Sequence, residues 1–61
     1  MMNDIKIGTV LTNKHTKKEW RVIDIEFLRA TKQERVTVYV LSDDSMNEAR
    51  INQDYLTHYD W

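Results

Sequence analysis

The 61-residue sequence contains no cysteine, no proline and a single glycine, Gly8. Without thiols there is no disulfide and no thiolate metal cluster to brace a small core. Small secreted domains lean on such staples, so their absence points to a reducing compartment. With one glycine, a glycine-rich phosphate loop cannot form. No apolar run approaches the roughly 20 residues of a membrane span. The start, Met1-Met2-Asn3-Asp4-Ile5-Lys6, carries an early acid and no stretch of signal-peptide length. The expectation is a soluble, cytoplasmic protein without a membrane partner.

Length sets a second limit. A chain this short makes one domain, residues 1–61. It buries about 60% of the surface its unfolded form exposes, so burial barely exceeds the entropy of ordering. Nearly every apolar residue is then needed for structure. Few are left to line a deep substrate pocket, and an enzyme is disfavoured on size.

What the sequence has is alternation. Val36-Thr37-Val38-Tyr39-Val40-Leu41 repeats every two residues, and Trp20-Arg21-Val22-Ile23-Asp24-Ile25-Glu26-Phe27-Leu28 precedes it across a polar break. Successive strand side chains point to opposite faces, so β-branched and aromatic residues at this spacing predict a sheet with a buried side. The class is mostly β.

Five strands are expected. The first is Ile5 to Leu11, bent at Gly8. Thr12 to Lys18 is a polar loop, with Asn13 the best candidate for a left-handed position. Glu19 to Leu28 is the second strand, with two conflicting inward registers. One buries Trp20 and Val22, the other Ile23, Ile25 and Phe27. A bulge near Val22-Ile23 reconciles them. Ala30 to Glu34 leads to the third strand, Arg35 to Leu41, and Ser42-Asp43-Asp44-Ser45 reads as a turn. A fourth strand near Glu48 to Ile51 is followed by one helical turn over Gln53 to Leu56, capped by Asn52. Thr57 to Trp61 is the last strand. In the alternative, 45–55 is an amphipathic helix capped by Ser45 with Glu48 as its capping-box partner, on a three-stranded sheet.

Ile7-Gly8-Thr9-Val10, Trp20 to Glu26, and Ile51 to Leu56 before an aromatic end form an order that resembles the small SH3-like β-barrels, notably short ones encoded by bacteria and their phages. The resemblance covers nearly the whole chain. It implies a five-stranded barrel with one helical turn before the last strand, and members that bind proteins or nucleic acids and rarely catalyse. The aromatic cluster of peptide-binding SH3 domains is not recognisable, so polyproline binding does not carry over. The glycine-centred KOW signature of nucleic-acid-binding relatives is incomplete.

Charge is uneven. Residues 1–35 carry eight bases against five acids, and residues 36–61 one base against five acids, for a net −1. Lys14, His15, Lys17 and Lys18 make the densest basic segment; Arg29, Lys32 and Arg35 make a second. Either can be a solvated loop or can meet phosphates or an acidic surface. A nucleic-acid interface needs both groups on one face. Tyr59 and Trp61 either pack back or stay open to a partner, whereas Trp20 is expected in the core. His15 and His58 lack the companions of a zinc site, and His58 with Asp60 reads as a hydrogen-bonded pair on one strand face. No nucleophile, base and orienter follow the order of a catalytic site, and Asp43-Asp44 lacks the ligand spacing of a calcium loop.

The residues therefore predict no catalytic, cofactor or metal site. They predict a non-catalytic binding module, a protein–protein adaptor or phage-type modulator of a host machine, monomeric or a weak homo-oligomer. Its partner surface would draw on Lys14, His15, Lys17, Lys18, Arg29, Lys32, Arg35, Tyr59 and Trp61. The alternative is a nucleic-acid-binding accessory protein of transcription or replication using the basic loops.

Overall fold

The computed structural model describes residues 5–29, 31, 32 and 35–61. Strands β1 (Val10–Asn13), β2 (Glu19–Arg29), β3 (Arg35–Ser42) and β4 (Glu48–Asn52) are followed by a 3₁₀ turn, η1 (Gln53–His58), and β5 (Tyr59–Asp60). All pairings are antiparallel, in the order β4-β3-β2-β1-β5. The sheet is mostly β as expected, but it is open: β4 and β5 are its two edges and do not pair with each other. The alternative helix over 45–55 is absent, because Glu48–Asn52 pairs with β3 from Val38 to Ser42.

Bending in β2 comes from the expected slip. Its register against β3 shifts between Val22 and Asp24. Directly paired residues share a face, so Val22 opposite Leu41 and Ile25 opposite Tyr39 both point inward although three positions separate them. Ile23 is the extra residue and is pushed outward, not buried as its register predicted. Leu11, Val22 and Leu41 are fully buried, and Ile5, Tyr39, Ile51 and Leu56 complete the core, with Trp20 packed partly buried against it. On the outer face Val40 is also buried. It lies opposite Asp24 and Arg50, and the Arg50–Glu26 ion pair spans β3 beside it at 2.5 Å.

The first strand is shorter than expected and begins later. Gly8 adopts φ +100°, a backbone that L side chains rarely take, and Thr9 N–H donates to Lys6 C=O. The chain turns there before entering β1, so Ile7 and Val10 are exposed, not core. At the other end the sequence was legible. Asn52 Oδ1 accepts from Asp54 N–H at 2.9 Å and caps η1, whose Leu56 anchors it in the core. Helical geometry runs on to His58, so the last strand shrinks to two residues.

Past the central sheet, β2 and β3 continue as an arm. β1 leaves β2 at Arg21, and β4 reaches β3 only as far as Val38. Residues 27–29 and 35–37 thus pair only with each other. Phe27 is 77% exposed, although its register placed it in the core, and Leu28 is 51% exposed. Of the expected connection at the tip, Ala30, Gln33 and Glu34 lie outside the described residues, as do Met1 to Asp4 at the start. No helix among the described residues is long and apolar enough to cross a membrane.

Candidate functional site

The β1–β2 loop is rigidly wired. Asn13 Oδ1 accepts from the backbone N–H groups of His15 and Thr16 at 2.8 and 2.9 Å. Asn13 also donates to Lys18 C=O and accepts from Lys17 N–H through its backbone. The left-handed residue is Lys17, at φ 66°, and not Asn13 as expected. Asparagine is used here for its side-chain acceptor, a role that the sequence shares with the left-handed one.

This loop docks on the end of the chain. Lys14 N–H donates to His58 C=O at 2.8 Å, and Asn13 and Thr12 pair with Tyr59 and Asp60. Lys14, Tyr59 and Trp61 thereby come together around an open groove of about 490 Å³, with Leu56 at its floor. A second groove of about 310 Å³ adjoins it, lined by His15, His58, Tyr55 and Tyr59. Tyr59 belongs to both. The Tyr55 and His58 rings meet edge to face, 5.7 Å apart at 80°. Trp61 and Tyr55 remain more than half exposed, at 53% and 55%.

Two imidazoles 43 positions apart thus share one surface, which spacing alone did not reveal. His58 closes η1, so the expected strand-face pair with Asp60 is replaced by the ring contact with Tyr55. Among the described residues no three metal-ligating groups gather. Tyr55 stands with Trp20, Tyr39, Tyr59 and Trp61 among the aromatic residues that the sequence offers as stacking platforms or a partner patch.

The basic residues divide. Lys18 Nζ lies 2.8 Å from Asp43 Oδ2 and 4.5 Å from the Trp20 ring centroid. Lys14 Nζ lies 3.9 Å from Asp60. Two of the three loop lysines therefore face carboxylates, and Lys17 and His15 are exposed beside them. Asp43 is no idle turn residue. Its carboxylate also accepts from the N–H groups of Ser45 and Asn47 and from Asn47 Nδ2, at 2.8, 2.9 and 3.0 Å, and its side chain is only 7% exposed. The Lys18 ammonium, then the Asn47 amide and the two backbone donors, hold its carboxyl well below the usual range, against a smaller opposing effect of desolvation.

Arg29, Lys32 and Arg35 sit at the opposite end of β2, on the arm. Eleven extended residues span roughly 33 Å, within a molecule 36 Å long. The two basic groups thus lie at opposite ends of β2. The chain was compared with protein-family models, curated proteins and solved structures, and it matches none of them.

Proposed function

We propose that this chain is a non-catalytic protein-binding module, an adaptor or a phage-type modulator of a host machine. Its working surface is the pair of grooves between the β1–β2 loop, η1 and β5. One observation carries the reading: Lys14, His15, Tyr59 and Trp61, far apart in sequence, converge with exposed Tyr55 and His58 on a hydrogen-bonded scaffold. Tyrosine and tryptophan, the rings exposed here, are among the residue types that carry most binding energy at protein interfaces. The grooves are open and share Tyr59, a form suited to an extended segment of another protein and poor at excluding water from a reaction.

The same proposal takes the architecture as SH3-like. The strand order, the bulge in β2 and the single 3₁₀ turn before the last strand support it; the open sheet departs from a closed barrel. A nucleic-acid interface is the weaker reading, because two of the three loop lysines face Asp43 and Asp60 and the arm cations lie at the far end.

The test is affinity capture from a lysate of the protein's own cell, with Trp61→Ala, Tyr55→Ala and Lys14→Glu as variants. A discrete partner retained by the wild type and lost in all three supports the surface. Equal capture by the variants counts against it. In parallel, oligonucleotides are titrated at two salt concentrations; tight binding that weakens steeply with salt replaces the protein reading by the nucleic-acid one.

A further inference from the structure

The longest unpaired strand edge among the described residues is not on β4 or β5 but in the middle of the order, on β2. Beyond Val22, which exchanges hydrogen bonds with Gly8 and Thr9, no described strand pairs with the side of β2 opposite β3. Among the described residues, the stretch from Ile23 to Arg29 has no strand beside it on that edge. One amide there reports its own condition. Ile25 N–H is taken by the side chain of the preceding residue, Asp24 Oδ1, at 2.9 Å. A local carboxylate serves an edge amide that no described strand reaches, and backbone groups two residues apart point to the same edge. Phe27 and Arg29 follow Ile25 on that edge.

Two further observations specify what fits. Phe27 and Leu28 are exposed on opposite faces of the arm, where a two-stranded ribbon has too little burial of its own. Arg29 stands directly opposite Arg35, with exposed Lys32 between them in sequence, and none of the three meets a carboxylate among the described residues. Like charges facing each other across a ladder destabilise it, and an anion beside them relieves the repulsion.

We propose that the β2 edge from Ile23 to Arg29 accepts an extended segment of a partner protein as an added strand, with apolar residues against Phe27 and Leu28 and carboxylates at Arg29, Lys32 and Arg35. Backbone hydrogen bonds supply the docking, and the arm charges select an acidic end. Asp24 acts as a gate: its carboxylate must release Ile25 N–H before the strand enters. This site is independent of the grooves by Tyr59, which lie at the other end of β2.

The probe is a blocked heptapeptide of alternating valine and threonine led by two aspartates, added to the ¹⁵N-labelled full chain. The amides of Ile25 to Arg29 should shift and exchange more slowly with solvent. The same peptide led by two lysines should bind about tenfold more weakly, and Arg29→Glu with Lys32→Glu and Arg35→Glu should reverse that preference. Asp24→Ala should tighten binding, and N-methylation of alternate peptide amides should abolish it. Binding that survives N-methylation, or shifts confined to the arginine and lysine side chains, would reduce the site to charge attraction and overturn the proposal. Silence at about 1 mM peptide, or the same amides shifting with protein concentration alone, would overturn it too, the latter in favour of a second copy of this chain.

Discussion

Lys18 and Asp43 join two connections that are 25 residues apart: the ammonium of the β1–β2 loop rests 2.8 Å from the carboxylate of the β3–β4 turn. The same carboxylate organises its own turn through Ser45 and Asn47. Because the folded state holds the Asp43 carboxyl below its ordinary value, the folded chain binds fewer protons there than the unfolded one. Its contribution to stability is complete above the unfolded value, near pH 4, and is lost as pH falls from there toward the depressed native value. Thermal midpoints should therefore not change with pH through this group near neutrality, and should drop in acid. Asp43→Asn should lower the neutral-pH midpoint and flatten the acid decline; parallel pH profiles for the two proteins would refute the assignment.

Lys17 holds a left-handed backbone at φ 66° with an exposed side chain. That conformation disfavours an L residue by about 1–2 kcal/mol, and glycine removes the penalty while adding some freedom to the unfolded chain. Lys17→Gly should stabilise the fold by about 1 kcal/mol, read from urea unfolding. Any loss of stability would mean that the Lys17 side chain contributes contacts of its own.

Leu11 and Phe27 look equivalent as apolar strand residues, yet Leu11 is fully buried and Phe27 is 77% exposed. Leu11→Ala should destabilise by about 2–5 kcal/mol through lost burial and a cavity. Phe27→Ala should stay within about 0.5 kcal/mol. Equal losses in chemical denaturation would show that the arm folds back onto the body.

Local chemistry was the legible part of this fold. The bulge at Val22-Ile23 followed from two incompatible inward registers, and the cap at Asn52 followed from a single acceptor side chain before a helical turn. What escaped the sequence depends on where neighbouring strands stop. Alternation marks Phe27 and Leu28 as strand, but their exposure is set by β1 ending its pairing at Arg21 and β4 at Val38. Likewise Lys14 and Lys18 read as free cations until the return of β5 and the β3–β4 turn brings Asp60 and Asp43 to them. Of the expected partner residues, Lys14, His15, Tyr59 and Trp61 form one surface; Arg29, Lys32 and Arg35 form another.

Groove occupancy is tested most directly by placing a photoreactive benzoylphenylalanine at Thr57, on the groove wall beside Trp61, and irradiating the chain in a lysate of its own cell. Met46, 83% exposed on the β3–β4 turn, is the control position. A protein taken up where Lys14, Tyr59 and Trp61 meet gives one discrete adduct from position 57, lost on Trp61→Ala and absent from position 46. Matching adducts from both positions, or nucleic acid as the cross-linked species, would contradict the binding surface assigned to this chain.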